Sequence, residues 1–284
     1  MSIALSINGE PGVVSDLVDT TTDRQRRILR HGPTVYLIPE RIFFEEDANG
    51  NLLRWHDAMG TGYFAPASAP LTVMDEGYDL RSLDFTKTNG QALRDVLNID
   101  RIPAAGSPGT IVALVRAASD APNFGGILGN RTAYGNKMVA FYVDASLGTP
   151  NLQMQFGNLD KALFSNAAIN DNGFHLVIMS WKGSAAGTQV IQDGVAQAFQ
   201  TNTLSVGTDP GARKLLIGDY GPIGTDPFRG QIAALAIIPA YVGQGENSDL
   251  LTDLLGEFGA YRITLNGGTP ESGGYVPLLG MIDA

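Results

Sequence analysis

Apolar residues in this chain recur mostly with the two-residue period of strands, and most densely between positions 174 and 240. His175, Val177, Met179 and Trp181 share one parity, and Leu176, Ile178 and Ser180 share the other. Both sets are largely apolar, which predicts a strand inside a two-sheet sandwich and away from its edges. A small, glycine-flanked loop follows (Lys182 to Gly187), and Thr188 to Gln192 returns as a second strand. Asp193-Gly194 comes next. A D-G pair between strand-like runs marks a hairpin, because a type I′ turn needs positive φ at both central residues. Leu215 to Gly218 predicts a third short strand. Gly230 to Pro239 predicts a buried fourth, ended by a proline that has no donor for the ladder.

The rest of the chain is less even. Ile3, Leu5 and Ile7 alternate, which predicts a short strand over Ser2 to Asn8. Residues 22 to 32 read as a helix with Thr22 or Asp23 as N-cap, Gly32 just past its end and cations in the last turn. Val35 to Ile38, Ile42 to Phe44 and Leu52 to Trp55 are strand-like, with an Asn49-Gly50 turn between the last two. Gly60 to Pro70, rich in small residues and proline, reads as a linker. Further strands are expected at Leu80 to Phe85, Val96 to Ile99, Thr110 to Arg116, Ile127 to Gly129 and Met138 to Val143. In Leu152 to Phe156 the alternation puts Leu152, Met154 and Phe156 inside, with Gln153 and Gln155 outside. Asn247 to Phe258 predicts a helix with Leu250, Leu251, Leu254, Leu255 and Phe258 on one stripe. The division expected is an N-terminal docking extension (1–70), a sandwich domain (71–264) and a tail (265–284) with apolar positions such as Tyr275, Val276, Leu278 and Leu279.

Composition narrows the function. The 284 residues include 35 glycines and 17% charged residues, which suits many short strands and tight turns. A net charge of −10 repels phosphate, so nucleic acid and anionic membranes are disfavoured as partners. The absence of cysteine excludes a disulfide framework and thiolate metal sites. The N-terminal residues lack the pattern of a secretory signal, and no apolar run approaches the ~18 residues of a membrane span. The expectation is therefore a protein outside the usual export route.

Taken in order, the elements from Thr110 to Phe258 resemble a laminin G-like domain of the concanavalin A-like lectin/glucanase superfamily. The matching pieces are TIVALVR, an ILG strand, MVAFYVDAS, NLQMQF, FHLVIMSW with its QDG hairpin, LLIGDYG, FRGQIAALAIIPA and the helix SDLLTDLLGEF. Phe228, Gly230, Ile232 and Ala233 before the terminal helix are the most telling. The resemblance implies an all-β, antiparallel jelly-roll β-sandwich. It covers about half the chain.

The superfamily's glycosidases carry an E-x-D-x-E strand, so that alternate carboxylates face one cleft. The nearest approach here, Glu45-x-Asp47-x-Asn49, lacks the third carboxylate and runs into a turn, so a polar hairpin tip is expected and not an enzyme. His31, His56 and His175 are scattered, without the spacing of a transition-metal site; His175 reads as a hydrogen-bonded residue of the core or rim. Relatives of this fold hold calcium with an aspartate and loop carbonyls at the rim; Asp144 and Asp219 are the nearest candidates, with ordinary loop aspartates as the other reading. A sugar needs an aromatic face beside amide hydrogen-bonders. Tyr134, Tyr142 and Tyr220 with Gln153 and Gln155 are the candidates, structural use of the same residues being the alternative. Arg24, Arg26, Arg27 and Arg30 form either a solvated helix face or a docking surface for another subunit. A lectin-like domain without an export signal leads to the expectation of a virion component, on the capsid surface or in the tail and fibres. Its expected partners are other virion proteins or further copies of itself, and glycans. A glycan-active enzyme and an unusually exported adhesin are the rivals.

Overall fold

The computed structural model describes residues 22–86, 91–97, 99, 101–103, 106–119, 124–130, 139–144, 151–156, 160–165, 169–182, 188–202, 215–219, 224, 227–243 and 245–269. The strand expected at Ser2 to Asn8 and the apolar tail lie outside them. The elements in order are α1 (Asp23–Arg30), β1 (Val35–Leu37), a 3-10 turn (Arg41–Phe43), β2 (Phe44–Glu46), β3 (Leu52–His56), β4 (Tyr63–Pro66), β5 (Thr72–Gly77), β6 (Leu80–Asp84) and β7 (Leu93–Asp95). There follow β8 (Gly109–Ala117), β9 (Phe124–Gly129), β10 (Val139–Asp144), β11 (Asn151–Phe156), β12 (Asp160–Ser165) and β13 (His175–Trp181). Last come β14 (Gln189–Gln192), β15 (Val195–Ala196), β16 (Ala198–Asn202), β17 (Leu216–Ile217), β18 (Gly230–Ile238) and α2 (Ser248–Leu265).

Among the described residues these strands form two antiparallel sheets. One runs β15-β14-β13-β8-β18-β6-β5, with β1 added alongside β18. The other runs β16-β12-β11-β10-β9-β17-β7-β4-β3-β2. The fold is thus the expected all-β antiparallel jelly-roll sandwich. One main core lies between the sheets. A second apolar layer lies between the outer face of the first sheet and the two helices.

The second layer explains why β8, β13 and β18 are apolar on both parities. On β13, Val177, Met179 and Trp181 enter the core between the sheets, whereas Leu176 and Ile178 face the helices. On β18 a bulge between Ile232 and Ala234 shifts the register, so an even position (Ile232) and odd positions (Leu235, Ile237) enter the same core. A slip of one residue reverses the faces, and the bulge makes that slip within one strand. Ala233, Ala234 and Ala236 lie on the helix side. Their small size lets α2 approach with Leu250, Leu254, Phe258 and Tyr261, and burying each such large side chain contributes about 1.5–3 kcal/mol.

Several local readings hold in detail. Asp193 and Gly194 have φ of 53° and 88°, as a type I′ turn requires, between Gln192 and its partner Val195. Thr22 caps α1 in a capping box with Gln25, and Gly32 follows the helix at φ 60°.

Others are corrected. The supposed extension (1–70) is not separate: β1 pairs with β18, and β2, β3 and β4 build one flank of the second sheet. Trp55 and Phe64 from this stretch are fully buried in the main core. Strands of three to five residues are too short to display a period, and β4 lies within the stretch read as a linker. The expected strand at Val96 to Ile99 is instead β7, upstream; Val96, Leu97 and Ile99 are exposed. Gln153 is buried, not outward in water. Helix α2 also continues beyond its expected end at Phe258 to Leu265, the first residue of the expected tail, and stops where Gly267 takes φ 81°.

Gly230 tests the junction of β8 and β18. Its φ is 149°, and a Cβ there meets the Arg116 carbonyl oxygen at 2.1 Å. Backbone cannot swing aside as a side chain does. Gly230→Ala is expected to lower stability by about 3 kcal/mol or more, read as a shifted urea midpoint. Gly50→Ala, strained in φ but with nothing within 4 Å, is expected to cost about 1 kcal/mol.

Candidate functional site

The end of the sandwich where β8 finishes, β13 begins and α2 stops carries a polar cavity of about 430 Å³. It is lined by Arg116, Asp171, Asn172, Gly173, Leu265 and Asn266. Each wall has a reason to be there. The side-chain amide of Asn266, just past α2, accepts from the Phe174 N–H at 2.8 Å and donates to the Phe174 carbonyl at 2.9 Å. That pair of bonds ties the helix end to the start of β13. Asn172 adopts φ 70°, and the Gly173 N–H donates to Asp171 Oδ1 at 2.9 Å, closing a tight Asp-Asn-Gly turn.

Arg116 lies with its guanidinium 4.4 Å above the Phe174 ring. Its Nη2 donates to Glu76 Oε1 at 3.2 Å and to Gln231 Oε1. These contacts leave Nε and Nη1 without a hydrogen bond among the described residues. Asp171 Oδ1 accepts from the Gly173 N–H and also faces His175 Nε2. The cavity is therefore lined by one cationic donor residue, Arg116, and one anionic acceptor residue, Asp171.

Behind Asp171 sits His175, 8% exposed. Its Nε2 lies 2.9 Å from Asp171 Oδ1 and its Nδ1 2.7 Å from Asp193 Oδ2. Asp193 is itself anchored, accepting from the Leu176 N–H at 2.9 Å and facing Arg262 Nη1 at 3.3 Å. Burial pulls the His175 pKa down, but the hydrogen bonds to Asp193 and Asp171 outweigh it and leave the value raised. The bond to His175 in turn holds the Asp171 carboxyl below its usual range.

The residues named from sequence do not gather here. Tyr134 and Tyr220 lie outside the described residues, as does the side chain of Gln155. Tyr142 and Gln153 are cross-strand partners on β10 and β11, but at 2% and 1% exposure they offer no open face for a sugar. Asp144 ends β10, its side chain outside what is described. Asp219 is fully buried and accepts from the Gly224 N–H at 2.7 Å, so it is a loop-closing acceptor. Among the described residues, no group of three or more His, Asp or Glu side chains gathers as a metal would need.

Two of the four arginines of α1, Arg24 and Arg27, face α2. Arg27 forms a bidentate pair with Asp253 at 2.7–2.9 Å, and Arg24 donates to the Gly256 carbonyl at 3.2 Å. Arg26 pairs with Asp23 on its own helix, and Arg30 is exposed. Beneath them Gln25 donates to Glu257 at 2.7 Å, and Tyr261 donates to Glu40 at 2.6 Å. Glu45 pairs with Arg54 at 3.1 Å, and Asp47 caps its own turn by accepting from the N–H groups of Asn49 and Asn51.

Arg116, Asp171 and Asn266 escape a sequence reading because they come from three distant segments. The one local signal is Asp171-Asn172-Gly173, a turn sequence directly before the most apolar strand.

No family model matches the sequence, and no curated protein matches it either. Solved structures do. The binding domain of Paraclostridial Mosquitocidal Protein 1 superposes with a TM-score of 0.55 at 9% identity, over 79% of this chain and 52% of that one. Domain 4 of AbnA, a GH43 extracellular arabinanase from Geobacillus stearothermophilus, in complex with arabinotriose, gives 0.52 at 13% identity, over 78% and 98%. A sialidase of Trypanosoma rangeli gives 0.49 at 15% identity, over 80% and 33%. The chain thus spans about half the length of the first structure and a third of the last. At these identities the likeness of the first two shows the fold alone, a jelly-roll β-sandwich. No helix among the described residues is long and apolar enough to cross a membrane.

Burial raises the pKa of both Glu40 and Glu257, and Glu40 adds to the shift at Glu257. A carboxyl raised above its unfolded value of about 4.3 gives most stability below that value and loses it as pH rises through the folded pKa. Thermal midpoints are therefore expected to fall as pH rises from about 5 toward 7. Glu257→Gln is expected to flatten that fall and to stabilise the protein by about 1 kcal/mol at neutral pH.

Proposed function

We propose that this chain is a non-catalytic, glycan-binding component of a virus particle, on the capsid surface or in the tail and its fibres. The observation that carries glycan binding is the balanced cavity at the end of the sandwich. A sugar hydroxyl both donates and accepts, so it suits a site where Arg116 offers N–H groups and Asp171 offers a carboxylate oxygen. An anionic ligand would meet Asp171 beside Arg116, so a neutral polyhydroxylated ligand fits better. The arabinotriose complex of the AbnA domain supports this reading and makes arabinotriose the first probe.

The non-catalytic part is supported by Glu45 and Asp47, whose carboxylates are engaged by Arg54 and by the turn at Asn49 to Asn51. The virion part draws on the sequence: apolar positions such as Tyr275, Leu278 and Met281 beyond α2 suit contact with other chains or other copies of this one.

A glycan array followed by titration calorimetry tests the site. Arg116→Ala is expected to weaken binding on the order of ten-fold or more with the fold retained, as two charge-assisted hydrogen bonds would demand. Unchanged affinity would remove the cavity from consideration. Release of reducing sugar from a polysaccharide, abolished by Glu45→Gln, would make the protein an enzyme. Mass spectrometry of purified virions checks the last part.

A further inference from the structure

We infer that His175 is a positioning residue of the cavity: held between two carboxylates in its charged form, it fixes Asp171 in the wall, and loss of its proton releases that wall. This role rests on the reading of the cavity as a glycan site, but its geometry stands apart from any ligand.

Each ring nitrogen of His175 has a carboxylate oxygen as its partner, at 2.9 Å to Asp171 and 2.7 Å to Asp193. Two acceptors can both be satisfied only by an imidazole carrying hydrogen on both nitrogens, the cation. A neutral ring must turn a lone pair toward one carboxylate. The two are not equally bound. Asp193 sits in the β14–β15 turn, also holds the Leu176 N–H and faces Arg262 of α2 at 3.3 Å. Asp171 is on the loop before β13, its side chain 56% exposed, and its other partner is the Gly173 N–H of its own turn. Arg116, from β8, is the remaining charge at the cavity and is neutralised by Glu76. The neutral ring therefore keeps Asp193 and lets Asp171 go. The Asp171-Asn172-Gly173 turn loses the bond that tethers it to β13, and the acceptor side of the cavity is no longer fixed.

The sign follows from both partners. A raised imidazole pKa makes the tether complete below the ordinary histidine value of about 6.5, and the tether is lost as pH rises through the raised value. The lowered Asp171 pKa keeps its carboxylate ionised down to and below the usual value of about 3.9. The working window is mildly acidic to neutral.

The experiment has a ligand-free arm and a binding arm, both on the full chain. By NMR, the His175 ring is expected to titrate above about 6.5, with the Gly173 amide shift following at the same midpoint. Asp171→Asn is expected to lower the ring midpoint, because one of its two carboxylate partners is gone. A ring that titrates at or below the ordinary value, or a Gly173 amide that stays still through the ring's transition, overturns the assignment. In the binding arm, arabinotriose affinity is expected to fall on the order of five- to ten-fold from about pH 5.5 to about pH 9. His175→Gln is expected to bind weakly at both pH values. Affinity that is level with pH in the parent protein also overturns the assignment. If arabinotriose and the array glycans bind at neither pH, the glycan reading falls and the ring and Gly173 titrations alone decide the role of His175.

Discussion

Burial of three central strands from both sides is the constraint on which this molecule depends. β8, β13 and β18 put large apolar side chains on both faces, and a sandwich of two sheets covers one face only. The other face must be covered by something else, or its Ile, Leu and Val side chains meet water. Helix α2 does this, with α1 beside it, and three alanines on β18 let the helix approach. Covering one sheet costs the conformational freedom of the eighteen-residue α2, which packing of Leu250, Leu254, Phe258 and Tyr261 offsets.

The same arrangement positions the cavity. Because α2 must lie along the sheet, its C-terminal end comes to the start of β13, where Asn266 grips the backbone of Phe174. Because β13 pairs along its whole length with Gly109 to Val115 of β8, the residues just beyond that ladder, Arg116 and Phe174, come together. The site is thus assembled at the corner where a helix end, a strand end and a turn meet, and its polar groups are held by bonds that also hold the layers together. His175 shows this double use: its ring belongs to the strand that fills the core, while its nitrogens serve the rim.

The docking of α1 is a second instance of polar groups fixed by packing. Two of its four arginines, Arg27 and Arg24, are directed at α2 through Asp253 and the Gly256 carbonyl. The half-buried Glu40 and the buried Glu257 beneath them carry a desolvation cost that hydrogen bonds from Tyr261 and Gln25 reduce. An exposed salt link alone contributes little, so Ile28, fully buried against α2 and the sheet, anchors this helix.

What could be read without coordinates was whatever depends on neighbours in sequence. The alternation in Leu152 to Met154, the Asp193-Gly194 turn, the Thr22 cap and the stripe of α2 are local physics, and together they specify a sandwich of antiparallel strands. Strands of three or four residues such as β1 and β4 carry no period, so their place in the sheets came only from pairing with β18 and β7. Gln153 looked like a surface residue because alternation tells which face a residue occupies and not what covers that face. The cavity lay furthest from sequence reach. Arg116, Asp171 and Asn266 are separated by tens of residues, and only the registration of β8 with β13 and the length of α2 bring them to one corner. Periodicity determines the layers of this protein; three-dimensional packing alone decides which polar groups meet at their edges, because such meetings depend on distance in space and leave no mark on spacing along the chain.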